Sequence, residues 1–458
     1  MGLRRNRIQI NGIVQGVGFR PFVYRLAQEY KLGGFVNNSS DGVLIEVEGT
    51  PDSLKAFRKR LQTEAPPLAR IVDWHLEEIN PIGEADFSIK ASQHEAPPIT
   101  LISPDISICE DCLGELFDPT DRRFRYPFIN CTNCGPRYTI VHSIPYDRPY
   151  TSMHVFNMCG PCSREYHDPA NRRFHAQPNA CPVCGPKISL HDSTGKKINT
   201  YDPILNVVQL LRSGKIIAIR GIGGFHLAVD AHNDTAVQEL RRRKGRAEKP
   251  FAMMAPDLES IKKFCFVSSK EEEVLIQQTR PIVLLRARPN HPLAASIAPG
   301  NRYLGFMLPY TPLHYLILQG NFDALVMTSG NYSEEPIAIG NDEALERLSC
   351  LADYFLLHDR EILQRSDDSI VRLAVDEIRL IRRSRGYVPM PLFLSSPTRK
   401  RILACGGELK NTIALSRDNT VFLSQHIGDL DNPSAFAFFE NSIAHLQKIL
   451  EITPEIIA

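Results

Sequence analysis

No stretch of about 18 apolar residues occurs anywhere in the 458-residue sequence, so no segment is expected to cross a membrane. The opening MGLRRNRIQINGIV is basic but lacks the apolar run of a signal peptide, and it passes at once into strand-like alternation. An excess of either charge is also missing: 53 Lys and Arg face 52 Asp and Glu, a formal net charge of +1. That balance argues against a dedicated nucleic-acid or membrane-surface protein and leaves room only for a local basic patch. The chain is too long for one hydrophobic core, which implies three or more domains. Without export the protein is expected to be cytoplasmic, where thiols stay reduced and disulfides are rare. Its 11 cysteines are an odd number, and eight of them fall between positions 109 and 184. That clustering suits metal better than disulfide pairing.

Four segments follow one another. Within residues 1–91, Ile8, Ile10 and Val14 are spaced as one strand face. A glycine turn then leads to a helix starting near Pro21 that carries Phe22, Val23, Leu26, Ala27 and Tyr30. Val43, Ile45 and Val47 alternate again, Thr50-Pro51 opens a helix with Leu54, Phe57 and Leu61, and strand-like runs lie near 71–79 and 86–90. The order β-α-β-β-α-β is that of a ferredoxin-like split βαβ unit. A linker, SQHEAPPITLISP, leads to the cysteine region at 105–190. Residues 200–390 mix strands such as Ile216–Ile219 and Ile282–Leu285 with helices, as an α/β or α+β domain. After PMPLFLSSPTRKR a unit over 400–458 opens with ILACGGELKNTIAL. The fold class expected for the whole chain is multidomain α+β.

The cysteines come as Cys109/Cys112, Cys131/Cys134, Cys159/Cys162 and Cys181/Cys184, and a shift of fifty residues superimposes the first two pairs on the last two. The repeat extends to Asp118-Pro119 on Asp168-Pro169, Arg122-Arg123-Phe124 on Arg172-Arg173-Phe174, and Gly135-Pro136 on Gly185-Pro186. Each C-x-x-C is a tight knuckle that aims two thiolates at one ion, and zinc takes four such ligands tetrahedrally. With all four positions filled by sulfur no place is left for water, so two structural zinc ions are expected. A redox dithiol would not need four matched pairs, and an iron–sulfur cluster would more often show the short ferredoxin spacings. Pairing within each repeat is the reading adopted; pairing the first with the fourth and the second with the third stays open. His154, His167 and His175 are read as bystanders, because eight thiols suffice.

The stretch from Gly12 to Pro21, GIVQGVGFRP, ends at a helix N-terminus, where backbone N–H groups and the helix dipole can cradle a phosphate. Arg20 could add a planar fork for two phosphoryl oxygens. The bland alternative is a strand-to-helix turn with a surface arginine. The segment resembles acylphosphatase over roughly ninety residues, with VQGVGFR followed at the expected distance by GFVNNSSDG at 34–42. In that family the arginine holds the acyl phosphate and an asparagine positions the attacking water, roles that fall on Arg20 and Asn38. The resemblance implies hydrolysis of a carboxylic–phosphoric anhydride without a covalent intermediate, where orienting water is the main task.

The most basic run, RRRKGRAEKPF at 241–251, closes a helix begun by Asn233 or Asp234. A solvated helix end or a nucleic-acid patch would each explain it. Neither explains Met327-Thr328-Ser329-Gly330-Asn331 after an apolar strand, or Arg382-Arg383-Ser384-Arg385-Gly386. Together these features resemble the YrdC/Sua5 family, whose members form an acyl-adenylate from ATP and a carbamate-type acid. Its Lys-x-Arg element matches Lys244 and Arg246, followed by Lys249-Pro250, and its Ser-x-Asn element matches Ser329 and Asn331; Arg383 and Arg385 join the nucleotide-binding candidates. The turn Gly221-Ile222-Gly223-Gly224-Phe225-His226 fits the same domain and is not a Walker loop, because no Gly-Lys-Ser/Thr follows. Gly223 and Gly224 are read as tight-turn residues, and His358 and Arg360 as further candidates for the pocket wall.

The order of these parts resembles the HypF family of hydrogenase-maturation carbamoyltransferases over essentially the whole sequence. The resemblance implies a relay: carbamoyl phosphate is hydrolysed, the carbamate meets ATP, with Mg²⁺, to form carbamoyl-adenylate, and a Kae1-like domain passes the carbamoyl group to the C-terminal cysteine of HypE. Carbamate is short-lived in water, so closed passages between sites make chemical sense. The sequence departs from the family in that the Kae1-like part stops about sixty residues after it begins. It has no H-x-x-x-H metal motif, since His426 and His445 are too far apart. A truncated product is therefore expected, with Phe436, Phe438, Phe439 and Leu446 left uncovered and transfer to HypE impaired. Two other functions are weighed: a threonylcarbamoyl-adenylate synthase for tRNA modification, and a zinc-dependent nucleic-acid or protein-binding module. Nucleic acid is not an expected partner, although the YrdC-like fold leaves binding of the double-stranded-RNA type open.

Overall fold

Alternation of apolar and polar residues makes β1 (Arg4–Ile13) a strand with Ile8, Ile10 and Ile13 turned inward. The computed structural model describes residues 2–14, 17–39, 42–66, 68–90, 102–144 and 146–458. Gln15 and Gly16 of the glycine turn, Ser40 and Asp41, and most of the linker at 92–104 lie outside the described residues. After β1 come α1 (Phe19–Glu29), β2 (Gly33–Ser39), β3 (Gly42–Gly49), α2 (Pro51–Thr63), β4 (Arg70–Ile79) and β5 (Phe87–Ile89), and the sheet order is β4-β1-β3-β2-β5. β1 and β3 are antiparallel, with Ile8 opposite Ile45 and Ile10 opposite Val43. The two helices bury Leu26, Leu54, Phe57 and Leu61 in the core these strands share. Thr50 caps α2, its Oγ1 accepting from Ser53 N at 3.2 Å, and Pro51 follows in the first turn, where its missing N–H costs nothing. The split βαβ arrangement is present, with one extra short strand.

In the cysteine region, α3 (Glu110–Phe117) and α4 (Gly160–His167) occupy equivalent places in the two copies of the repeat, each starting directly after its first cysteine. The central domain follows with β6 (Ile188–Asp192), β7 (Lys197–Ile198), α5 (Pro203–Arg212), β8 (Ile217–Arg220), β9 (Phe225–Asp230), α6 (Asp234–Lys244) and β10 (Ala252–Met254). It continues through α7 (Leu258–Phe264), β11 (Cys265–Phe266), α8 (Ser269–Ile276), β12 (Ile282–Ala287), β13 (Tyr303–Met307), α9 (Pro312–Leu318) and β14 (Leu325–Ser329). α10 (Asn341–Leu348), β15 (Tyr354–His358), β16 (Ile370–Ala374) and β17 (Glu377–Arg382) complete it. The mixed sheet runs β17-β16-β12-β13-β10-β14-β9-β8-β15-β6-β7, with β11 paired to β12. Every residue of β8 is buried, as a strand between two helical layers requires. One layer packs Val237, Leu240, Ile261 and Leu348 on Ala218 and Leu227. The other packs Val207, Leu211 and Leu316 on Ile217 and Ile219, and this core continues into Leu116, Phe128 and Ile129 of the cysteine region.

The last unit is a small sheet in the order β18-β21-β20-β19-β22, from β18 (Pro391–Phe393), β19 (Ile402–Ala404), β20 (Ala414–Arg417), β21 (Thr420–Leu423) and β22 (Ile456–Ile457). α11 (Pro433–Leu450) lies against it, capped by Asn432, whose Oδ1 accepts from Ala435 N at 2.9 Å. Here the expectation of an uncovered helix face is corrected. Phe438 and Leu446 are buried with Leu403, Ile413 and Phe422, and Phe439 is half-buried; of the four, Phe436 alone is exposed. The unit also docks on the cysteine region, where Tyr138 donates its hydroxyl to Gln425 Oε1 at 3.0 Å and meets the His445 ring edge-on.

Candidate functional site

The knuckles place the four sulfurs of Cys109, Cys112, Cys131 and Cys134 within 4.8 Å of one another, and those of Cys159, Cys162, Cys181 and Cys184 likewise. Separations in the first set are 3.6 Å (Cys109–Cys131), 3.8 Å (Cys131–Cys134) and 3.6 Å (Cys134–Cys112). The second set repeats them at 3.7, 3.8 and 3.6 Å. A tetrahedron with zinc–sulfur bonds of about 2.3 Å has edges of about 3.8 Å, so both sets fit the ion. Pairing is within each repeat, not interleaved, and His154, His167 and His175 belong to neither set.

The Arg-Arg element of the repeat turns out to bridge the two copies. Arg172 donates from Nη1 to Cys112 Sγ at 3.1 Å, and Arg122 donates from Nη2 to Cys162 Sγ at 3.3 Å. Glu115 holds Arg172 and Arg173, and Glu165 holds Arg122 and Arg123, so each contact is the fifty-residue image of the other. A four-thiolate zinc site carries two net negative charges, and a guanidinium from the opposite copy offsets part of that charge while orienting a ligand.

Arg20 lies in the first turn of α1, behind Gly18, whose φ of 76° suits glycine. A Cβ there would also come 2.9 Å from Asn133 Oδ1, because the cysteine region packs directly over the turn. Arg20 faces that region: its Nη2 is 3.8 Å from Asp147 Oδ1. Burial lowers its pKa, and the charge of Asp147 opposes the drop. The guanidinium lines a cavity of about 20 Å³ shared with Tyr146, Arg137 and His175. His175 is thus a neighbour of Arg20, and its pKa is held at about 4 by burial first and by the arginine second. On β2, Asn38 is buried with its Oδ1 unpaired among the described residues. It does not line the same cavity.

The central domain encloses a cavity of about 340 Å³ that brings together Lys244, Arg246, Lys249, Ser329 and Asn331. α6 delivers the first of these: capped by Asn233, it ends at Gly245, at φ 63°, just after Lys244. Of the cations in the basic run, Arg242 and Lys249 are exposed, whereas Arg241 is buried and donates to the carbonyls of Ser296 and Ile297. The Lys244 ammonium donates to Ser329 O and Asn331 Oδ1, both at 2.7 Å, and to Asn331 O, which pins the turn after β14. Burial, and then the charge of Arg246, pulls its pKa down to about 7. Arg246 reaches Thr328 Oγ1 at 3.1 Å and lies over the Phe251 ring.

Arg383 and Arg385, expected beside the nucleotide, are not at this cavity. Arg383 donates to the carbonyls of Leu423, Tyr387 and Met390, tying the central domain to the last unit. Arg385 is buried, donates to Asp368 Oδ1 at 2.7 Å and stacks on Tyr310. Arg382 lines the cavity instead, as does His226, whose Nε2 is 2.9 Å from Asp368 Oδ2. Neither had been singled out as a site residue; the turn that ends in His226 was the available signal. Gly223 is a packing residue, since a Cβ would lie 2.3 Å from Ser366 O. His358 and Arg360 line a separate cavity of about 30 Å³ bounded by Gly135, Pro136 and Tyr310. Tyr310 Oη is 3.5 Å from His226 Nε2 on the side of the large cavity, and Tyr146 Oη is 3.5 Å from Pro136 O on the side of Arg20. Residues that line the three cavities thus touch one another, Tyr310 of the small cavity meeting His226 of the large one and Tyr146 of the Arg20 cavity meeting Pro136 of the small one.

Four family models match in succession: Acylphosphatase over 6–89, HypF finger over 108–141 and 158–191, the Sua5/YciO/YrdC model described as Telomere recombination over 209–384, and HypF Kae1-like domain over 397–458. The carbamoyltransferase HypF2 of Cupriavidus necator is 50% identical over 476 residues, covering 99% of this chain and 59% of that protein. The chain belongs to the HypF family. A HypF of Synechocystis is 47% identical over 454 residues, again 99% of this chain and 59% of that one. A crystal structure of full-length HypF in a phosphate- and nucleotide-bound form matches with TM-score 0.95 and 49% identity, over 100% of this chain and 60% of that one. The chain therefore spans about 59% of the length of the curated HypF relatives it matches. Membership of the HypF family also accounts for the finger repeat, which a tRNA-modifying synthase would not need. Among the described residues no helix is long and apolar enough to cross a membrane.

Proposed function

We propose that this chain converts carbamoyl phosphate and ATP, with Mg²⁺, into carbamoyl-adenylate, the activated carbamoyl group destined for the C-terminal cysteine of HypE. The observation that carries the reading is the set of three cavities, one holding Arg20 and one the Lys244–Asn331 cluster, whose linings meet through Tyr146–Pro136 and Tyr310–His226. At the first site Arg20 holds the phosphoryl oxygens and Asn38 orients a water, which splits carbamoyl phosphate into carbamate and inorganic phosphate. At the second, a carbamate oxygen attacks the α-phosphorus of ATP and pyrophosphate leaves. Lys244 holds Ser329 and Asn331 in place and, with Arg246, Lys249 and Arg382, sets positive charge against the phosphates.

Cys109, Cys112, Cys131 and Cys134, with Cys159, Cys162, Cys181 and Cys184, would hold two zinc ions, whose contribution is to fix the frame between the two sites. In this reading the units at 1–91, 105–190 and 200–390 are hydrolase, frame and adenylate-forming domain, and 400–458 is the beginning of the Kae1-like part. The setting is cytoplasmic, where the eight thiols stay available for metal. The test is carbamoyl-phosphate-dependent cleavage of ATP to AMP and pyrophosphate. Its absence, with zinc and fold intact, would sink the proposal.

A further inference from the structure

The small cavity lined by His358 and Arg360 is flanked by two buried arginines, neither of which makes an ion pair among the described residues. Arg360 is only 5% exposed, yet its Nε has no hydrogen-bond partner among the described residues, and its guanidinium lies 5.1 Å from the centroid of the Phe128 ring. Arg220, equally buried, donates to Asn341 Oδ1 at 2.9 Å and to His358 O at 2.6 Å, while its Nε has no partner. His358 lines the cavity between them and has its Nε2 3.1 Å from the Gly221 carbonyl. The carboxylates with most influence on Arg360, Asp105 and Asp359, are bonded elsewhere. Asp105 accepts through Oδ1 from Arg137 N and Thr139 Oγ1 while its buried Oδ2 has no partner, and Asp359 accepts from Lys187 N. Neither makes an ion pair with Arg360 among the described residues. Buried arginines are normally paired, because an uncompensated guanidinium is costly to desolvate. Two of them facing one cavity therefore describe a place for an anion. The volume of about 30 Å³ is room for about two waters, which suits a planar anion of a few atoms and excludes a nucleotide or phosphate ester.

We infer that this cavity is a binding site for a small planar oxyanion, carbamate or its isostere bicarbonate, held by Arg360 and Arg220 between the site that releases it and the site that consumes it. The identity of the ligand rests on the function proposed above; the anion site itself does not. A guanidinium fork matches the two oxygens of such an anion. Holding carbamate there would keep it from bulk water between the two reactions.

The experiment compares the full chain with Arg360→Met and Arg360→Lys by thermal melting in sodium bicarbonate, sodium formate and sodium chloride at equal ionic strength. For the unsubstituted protein, bicarbonate and formate should raise the melting temperature saturably and chloride should not. Arg360→Met should melt no lower in chloride, because it removes an unpaired buried charge, and should bind bicarbonate about tenfold more weakly. Arg360→Lys should recover part of the response. In a coupled assay, Arg360→Met should form less AMP per phosphate released from carbamoyl phosphate than the unsubstituted protein. A melting temperature insensitive to bicarbonate and formate in the unsubstituted protein would overturn the site. So would an Arg360→Met protein that is destabilised and keeps the full anion response. If the unsubstituted protein forms no AMP at all, the proposed function fails, while the melting series still decides the anion site.

Discussion

Arg382, Arg383 and Arg385 sit within four positions of one another and have different fates. Arg382 lines the large cavity, Arg383 bonds three carbonyls, and Arg385 is locked to Asp368 under Tyr310. Arg382→Ala should raise the KM for ATP by about tenfold and leave urea unfolding unchanged. Arg383→Ala should lower stability by about 2–4 kcal/mol, because three carbonyls lose their donor, with KM for ATP unaltered in the folded fraction. Arg20→Ala should abolish carbamoyl phosphate hydrolysis while the zinc content stays near two per chain, one for each cysteine set. Loss of metal would contradict the separation of the two tasks. Lys244, Arg246, Ser329 and Asn331 were singled out by their match to the YrdC/Sua5 elements, and the structure brings all four to one cavity. That match could not choose among the arginines, because the side on which a residue leaves β17 depends on the register with β16, which shifts between Ile370 and Val371.

Among the elements, the two knuckle–helix units show how far an internal repeat can be read and where reading stops. The fifty-residue shift identified the ligands and the Arg-Arg-Phe copies, but contact across the repeat is a tertiary fact that spacing does not encode. It predicts an effect in the wrong copy: Arg172→Gln, a change in the second unit, should loosen zinc in the first. Chelator challenge followed by pulse alkylation and mass spectrometry should find Cys109 and Cys112 labelled about 10- to 100-fold faster, with Cys159 and Cys162 nearly unchanged. Labelling confined to the second unit would count against the bridge. α11 makes the same point in another form. Its apolar residues Phe436, Phe438, Phe439 and Leu446 stood out in the sequence, whereas their cover is not in the pattern, because it comes from a five-stranded sheet and from Tyr138 some three hundred residues earlier.

For the whole molecule, contacts between units should set the response to acid. His175, beside Arg20, and His445, against Tyr138, each have a pKa lowered to about 4, by burial above all. Both stay neutral in the native protein, while in the unfolded chain they take up protons near 6.5. Their contribution to stability is thus present above pH 6.5 and is lost as the pH falls toward 4. Melting temperature measured from pH 7.5 to 4.5 should fall steeply through this window, and His175→Gln with His445→Gln should flatten the fall. The order of units along the sequence was readable because each carries its own local signature. Their docking was not, since it depends on Gly18 meeting Asn133 and on Tyr138 meeting Gln425, pairs distant in sequence. The hairpin of β6 and β7 matters most for anyone who would take the protein apart. β6 starts at Ile188, four residues beyond Cys184, and runs antiparallel to β15 from Ile188 opposite His358 to Asp192 opposite Tyr354. A graft that moves the metal module by cutting after Ile198 would carry this edge ribbon away from the neighbouring sheet and bare β15 beneath it. The scissors therefore belong between Cys184 and Ile188, where the module leaves and the hairpin stays with the sheet it edges.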